Sequence, residues 1–156
     1  MKLRCAAAAL LVSIGGASLR AAEPEAVDAA RLSGVWSGKR STQEVGNCGM
    51  SGGGKNLRVT LDVKSDGSFT ATEARAPDYK TVGPPWQGHV APGGIVDADR
   101  SAYAVCKGEK REYRIRLAGK VWTDKARLRL RLEGEDAPCP QYSCYFKLKY
   151  TLDRDE

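Results

Sequence analysis

Six basic side chains alternate with apolar residues along two neighbouring segments, residues 112–122 and 126–133. The alternation places the cations on one face of a predicted β-hairpin, with the apolar residues on the other. Guanidinium groups bind carboxylates, phosphates and sulfates through paired N–H donors. This face therefore predicts a binding site for an anionic polymer or a protein partner, built from Arg114, Arg116 and Lys120 on one strand and Arg127, Arg129 and Arg131 on the other.

The register of this hairpin decides which cations face each other. Pairing Val121 with Ala126 gives a register in which the apolar faces of the two strands agree. Opposed like charges disfavour a sheet by roughly a few tenths of a kcal/mol each, so the pattern favours either a bound anion or a solvated outer face that discourages edge pairing. The predicted pairs are Val121 with Ala126, Leu117 with Leu130, Ile115 with Leu132, Lys120 with Arg127, and Arg116 with Arg131.

Side chains that could catalyse a reaction are few. His89 is the only histidine, and it lies in a Gly- and Pro-rich segment without a recognisable triad. The carboxylate pairs Glu73 with Asp78 and Asp97 with Asp99 lack the spacing of a calcium loop or of a paired-acid site. We therefore predict a non-enzymatic protein with no catalytic residue, no metal and no cofactor.

Four cysteines follow the N-terminal apolar segment, namely Cys48, Cys106, Cys139 and Cys144. An even number of cysteines in an exported chain favours two disulfides. A zinc site is the alternative, but the gap between Cys139 and Cys144 is longer than the usual two residues. The sequence leaves three pairings open, and the local pair Cys139–Cys144, with Cys48 joined to Cys106, is slightly preferred.

The first 22 residues have the layout of a secretory signal: a basic start, an apolar run over residues 6–14, and small residues beyond it. Cleavage is predicted after Ala22, with Ala17 and Ala21 as alternatives. The run is shorter than the roughly 20 residues that span a bilayer. Loss of the signal with its three basic residues would lower the net charge from +6 to +3. We expect a mature protein without a transmembrane segment, periplasmic or extracellular.

Period-2 alternation dominates residues 32–156, which follow a short polar lead at 23–31. In the stretch 55–63 the apolar residues fall on one face. A three-residue loop at 65–67 would set Phe69 opposite Val63 and Ala71 opposite Leu61, with Gly67 in the left-handed conformation. About eight such strands joined mainly by hairpins predict a single all-β domain. The predicted architecture is an antiparallel up-and-down barrel, with a β-sandwich as the alternative.

The interior of an eight-stranded barrel is either filled by side chains or holds one small ligand. Tyr103, Tyr113, Phe146 and Tyr150, with branched aliphatic residues, are typical of ordinary filling. We therefore favour a packed core, and keep a small apolar ligand inside the barrel as an open possibility.

Gly34-Val35-Trp36, at the start of the first predicted strand, resembles the Gly-x-Trp opening of lipocalin-like (calycin) barrels. The resemblance implies that Trp36 plugs one end of the barrel and that a basic residue near the last strand packs over it. It also implies a role in binding a hydrophobic ligand. The candidates for the basic residue are Lys147, Lys149 and Arg154. Residues 103–113 are similar to the Cys-containing strand pair of small periplasmic lysozyme-inhibitor barrels.

Together these patterns predict an exported binding protein that holds a small apolar ligand in the barrel, or an anionic or protein partner on the Arg-rich hairpin. A secreted inhibitor of an extracellular enzyme is the first alternative, and a structural envelope protein is the second. Specific binding of nucleic acid is disfavoured because only Trp122 adds an aromatic ring among the cations. The sequence leaves the oligomeric state open.

Overall fold

The computed structural model describes residues 28–48 and 53–156, so the predicted signal peptide and residues 23–27 of the lead lie outside the described residues. Short 3-10 helices occupy Ala29–Arg31, Pro92–Gly94 and Pro140–Tyr142. Across the described ranges, no helix has both the length and the apolar character to cross a membrane. The strands are β1 Gly34–Val45, β2 Gly53–Val63, β3 Ser68–Arg75, β4 Lys80–Thr81, β5 Trp86–Val90, β6 Ile95–Cys106, β7 Glu109–Asp124, β8 Arg127–Asp136 and β9 Tyr145–Arg154.

Eight of these strands form a closed antiparallel barrel. Each strand pairs with the next one along the chain, and β9 returns to pair with β1. The two-residue strand β4 is an extra that pairs only with β3, so β3 continues the barrel through β5. The all-β class and the up-and-down barrel are therefore confirmed, and the alternative of a sandwich is wrong. Closure pairs every strand of the barrel on both sides and removes open sheet edges.

The β2–β3 hairpin has the predicted register. Leu61 pairs with Ala71, and Val63 pairs with Phe69. Gly67 has the positive φ of +84° that the short loop requires, and a Cβ there would lie 2.6 Å from the carbonyl oxygen of Val90. A residue with a side chain would therefore be strained at this position.

The β7–β8 hairpin differs from the prediction by four residues. Its strands meet at Asp124 and Arg127, around a two-residue turn in which Lys125 and Ala126 have φ of +48° and +69°. Such turns usually carry Gly or Asn, so this one gave no sequence signal. A shift of four keeps every side chain on its predicted face. The five predicted pairs are wrong, and the observed pairs are Val121 with Leu130, Leu117 with Gly134, Lys120 with Arg131, and Arg116 with Glu135.

The two disulfides are Cys48–Cys144 and Cys106–Cys139, with Cα atoms 5.4 and 5.7 Å apart. The presence of disulfides is confirmed, but the preferred pairing is wrong. Cys48 follows β1 and Cys144 precedes β9, and these neighbouring strands bring the two thiols together. Both bridges lie at the end of the barrel where β6 ends and β9 begins, which we call the mouth.

The opposite end of the barrel is closed by Trp36, which is completely buried and donates a hydrogen bond from Nε1 to the carbonyl oxygen of Leu32 at 2.9 Å. We call it the plugged end. Arg154 donates from Nε and Nη2 to the carbonyl oxygen of Ser33 at 3.2 and 2.5 Å. Gly34 has a φ of +131°, and a Cβ there would lie 2.7 Å from Arg154 Nη2. Arg154 is therefore the basic residue at this end, whereas Lys147 and Lys149 point outward and are exposed.

Candidate functional site

The barrel interior is filled. The cavity that remains has a volume of about 30 Å³ and is lined by apolar side chains that include Trp36, Phe69 and Leu117. Ligand pockets usually enclose about 300 to 1,000 Å³, whereas a cavity needs only about 10 to 15 Å³ for one water molecule. Phe146 and Tyr150 fill the interior as expected, but Tyr103 does not, because it points outward with 58% of its surface exposed.

The six predicted cations all lie exposed on the outer face of β7 and β8. The chain's own carboxylates partner four of them, so most of this positive charge is offset locally. The pairs are Arg114 with Asp99 at 2.8 Å, Arg129 with Asp124 at 3.0 Å and with Asp153 at 3.3 Å, Arg131 with Glu133 at 2.6 Å, and Arg127 with Glu156 at 4.0 Å.

Arg116 and Lys120 form no ion pair among the described residues. Lys120 lies on the rim of a shallow surface depression of about 520 Å³, together with the half-buried indole of Trp122. The small side chain of Ala118 is among the residues that line this depression. Its other rim is formed by Arg131 and Glu133, and the hydrogen bond and charge of Arg131 hold the pKa of Glu133 below its ordinary value.

A second cluster lies inside the barrel towards the mouth, and we call it the mouth cluster: Glu73, Arg40, Arg75 and Arg100. Glu73 is 2% exposed and accepts from Arg75 Nε at 2.8 Å and from Arg100 Nη1 at 3.1 Å. Arg40 Nη1 lies 3.7 Å from the same carboxylate. One buried carboxylate thus holds three guanidinium groups.

Two aromatic side chains complete the environment of Glu73. The Tyr150 hydroxyl and the Trp86 indole N–H donate to Oε2 at 3.2 and 3.4 Å. The Arg100 guanidinium carbon lies 4.3 Å from the ring centroid of Trp86, within cation–π range. Burial, followed by the charge of Glu73, raises the pKa of Tyr150 to about 12, so the tyrosine stays protonated and donates a hydrogen bond to the carboxylate throughout the physiological range.

The charged groups around Glu73 decide the protonation state of its carboxyl. Burial alone would raise the pKa of the carboxyl, but the hydrogen bond and charge of Arg75, with the charges of Arg100 and Arg40, more than offset it, and the pKa lies below its ordinary value. Glu73 is therefore ionised at neutral pH.

The sequence-based prediction missed the mouth cluster, although one signal was present. Glu73 and Arg75 continue the inward face of Phe69 and Ala71 on β3. Asp78, the carboxylate considered with Glu73 in the sequence, is exposed and pairs with Lys80 at 2.9 Å. A charged residue at an inward position of a strand therefore marks an interior ion pair, but its partners on other strands are not readable from local alternation.

An exposed apolar patch lies outside the mouth. It consists of Tyr103 and Val105 on β6 and Tyr142 on the connection between β8 and β9, which are 58%, 69% and 45% exposed. The Cys106–Cys139 bridge connects the two segments, and the Tyr142 N–H donates to the carbonyl oxygen of Cys139 at 3.0 Å. We call this group the apolar mouth patch.

The remaining candidates for chemistry stay apart from these groups. His89 lies exposed on β5, with a ring nitrogen 3.0 Å from the carbonyl oxygen of Asp66. Asp97 is exposed, and Asp99 pairs with Arg114. Over residues 28–48 and 53–156, no group of three His, Cys, Asp or Glu side chains is arranged to hold a metal ion. No family model matches the chain, and the search of the curated proteins found no matching sequence.

Proposed function

We propose that this is an exported, non-enzymatic binding protein that holds its partner on the outside of the barrel. The observation that carries the proposal is the filled interior, whose remaining cavity of about 30 Å³ is far smaller than a ligand pocket. Export is supported by the two disulfides, since such bonds persist in oxidising compartments. The barrel then serves as a rigid support for its outer surface.

The surface that best fits a partner is the depression on the β7–β8 face. It combines a half-buried indole with the cation of Lys120, which has no ion-pair partner in the described part of the chain, and Arg116 lies on the same strand. The other cations of this face are offset by acids of the chain, which disfavours a polymer of uniform negative charge. A protein segment carrying one or two carboxylates beside an apolar side chain fits this mixture of charges and aromatic surface.

We expect that replacing Arg116 and Lys120 together with Gln weakens binding to an immobilised peptide, in which two glutamates flank a leucine, roughly tenfold at low salt, because each exposed ion pair contributes up to about 1 kcal/mol. Binding is measured by the salt concentration that elutes the protein. The matched control is Lys39→Gln with Arg58→Gln, which removes the same charges from exposed positions on β1 and β2. Equal loss in both double variants would mean that net charge alone drives retention, and the proposed surface would be wrong.

Inhibition of an extracellular enzyme is a second candidate, favoured by the apolar mouth patch. A disulfide holds its two segments together, and exposed Tyr103 and Val105 are typical of surfaces that bind proteins. Hydrolysis of cell walls by lysozyme tests this role, given the similarity of residues 103–113 to lysozyme-inhibitor barrels. We expect the protein to slow the reaction, and Val105→Asp to raise the inhibitory concentration at least tenfold.

The control for this test is Ile95→Asp, which places the same charge at an exposed apolar residue near the plugged end, 54% exposed. It should inhibit like the unmodified protein. Full enzyme activity at saturating amounts of the unmodified protein would contradict inhibition of lysozyme.

We also infer kinship with the lipocalin-like (calycin) barrels. The support is the plugged end, where a Gly-x-Trp opening strand meets a basic residue of the last strand: Trp36 is buried and Arg154 closes over Gly34. The filled interior argues against a hydrophobic ligand in the manner of that family. A structural role in the envelope remains compatible with this barrel, and detection of a bound partner would argue against it.

A further inference from the structure

We propose that the mouth cluster is a binding site for a small oxyanion. This site is separate from the outer surface of β7 and β8, so it does not depend on the function proposed above. The inference rests on three properties of the cluster: its charge balance, an unpartnered donor, and its access to the mouth.

The charge balance of the mouth cluster is positive. Three guanidinium groups surround the single carboxylate of Glu73. Lys55 on β2 lies opposite Arg40 on β1 in the strand register, so it adds a cation on the same face of the sheet. Buried charges are usually paired, because an uncompensated charge is costly to remove from water. One carboxylate leaves two guanidinium groups without a matching charge.

Two other interior carboxylates near the mouth are bonded to neutral donors rather than to these guanidinium groups. Asp136 accepts a hydrogen bond from the Tyr113 hydroxyl at 2.8 Å, and Glu44 accepts from the Cys48 backbone N–H at 2.5 Å. Neither forms an ion pair with an arginine of the cluster. Among the described residues, no carboxylate other than Glu73 lies within ion-pair distance of these guanidinium groups.

Arg40 provides the second observation. Its Nε is buried, and no hydrogen-bond acceptor for it is found within the described part of the chain. Nε and an Nη atom of one guanidinium form the fork that binds two oxygens of a carboxylate or phosphate. An oxyanion beside Arg40 would give this donor the acceptor that it lacks.

The cluster is also reachable from solvent. The side chains of Arg75 and Arg40 are 25% and 16% exposed, whereas that of Glu73 is not exposed at all. A small anion entering from the mouth thus meets arginine first. The apolar cavity below it, about 30 Å³, leaves no room for a long tail, so the ligand is an anion of the size of acetate or phosphate, or a small molecule that presents such a group outward.

The test is an NMR titration of the full mature protein with acetate and with inorganic phosphate at constant ionic strength. The Arg Nε–H signals and the Trp86 indole N–H report on the site, because Arg100 stacks on Trp86. We expect a saturable shift with an apparent Kd near the millimolar range for at least one anion. Acetate and phosphate separate planar from tetrahedral oxyanions, and saturation by either supports the proposal.

Variants locate the binding. Arg40→Gln should weaken it at least tenfold, and Arg58→Gln, an exposed cation on the outside of β2, should leave it unchanged. Arg75→Gln is the second variant, chosen because its more exposed side chain makes it less disruptive if Arg40→Gln fails to fold. The proposed site would be wrong if neither acetate nor phosphate saturates the NMR shifts up to about 100 mM. It would also be wrong if Arg58→Gln and a folded variant of the mouth cluster give the same titration curve. Loss of Arg116 and Lys120 should not alter these curves, which separates this test from that of the outer surface.

Discussion

Replacing Glu73 with Gln is expected to lower the free energy of unfolding by about 3 to 5 kcal/mol, the usual effect of removing one partner from a buried ion pair. The carboxylate is 2% exposed and is the shared partner of three guanidinium groups, so its loss leaves repelling cations inside the barrel. Urea denaturation measures the change. The control is Glu112→Gln on the exposed face of β7, where a change within about 0.5 kcal/mol is expected.

A double variant separates charge from packing at this position. Adding Arg100→Met to Glu73→Gln removes one of the cations that has lost its carboxylate partner, so the double variant should be more stable than Glu73→Gln alone. If Glu73→Gln unfolds at the same urea concentration as Glu112→Gln, the mouth cluster does not stabilise the barrel.

The same carboxylate makes stability depend on acid. Because the folded-state pKa of Glu73 is lowered by its arginines, the unfolded chain takes up the proton first as the pH falls. The stabilisation is complete above the ordinary glutamate pKa of about 4.3 and is lost as the pH falls through the lower folded-state value. In the Glu73→Gln variant, the loss of stability below about pH 4 should be shallower than in the unmodified protein.

Trp36→Ala is expected to lower the free energy of unfolding by about 3 to 5 kcal/mol, because it removes a fully buried indole and opens a cavity. It also leaves the carbonyl oxygen of Leu32 without its donor. The midpoint of urea denaturation measures this effect, and near-UV circular dichroism tests whether the remaining aromatic side chains keep their packing.

The control for Trp36 is Trp122→Ala on the outer face, where the indole is only half-buried and the cost should be clearly smaller. Trp36→Phe should fall between these values, because it keeps an aromatic ring and loses one hydrogen bond worth about 1 kcal/mol. Similar midpoints for Trp36→Ala and Trp122→Ala would show that the plugged end does not hold the barrel together.

The two hairpins show what alternation can and cannot predict. On β2 and β3, the apolar faces and Gly67 both point to one register, and it is the observed one. On β7 and β8, several registers separated by an even number of residues match the apolar faces equally well. The choice between them depended on the Lys125-Ala126 turn, whose left-handed residues have no sequence signature.

The candidate sites were predictable to different extents. The outer face of cations followed from alternation alone, since an even shift does not move a side chain to the other face. The carboxylate partners Asp99 and Asp153 did not, because they come from β6 and β9. The preferred disulfide pairing was wrong for the same reason: Cys48 and Cys144 meet only because the last strand returns to the first.

That return has a consequence for how the barrel forms. The β1–β9 pairing joins residues 118 positions apart at its plugged end, as in the hydrogen bond from Ser37 to Asp155, and closing so long a loop costs roughly 4 kcal/mol of chain entropy. The Cys48–Cys144 bond ties the other end of the same seam, next to the paired residues Val45 and Tyr145. If the Cys48–Cys144 bond forms early in folding, the slow search between these distant segments is already complete. β1 and β9 then pair residue by residue from the mouth towards the plugged end.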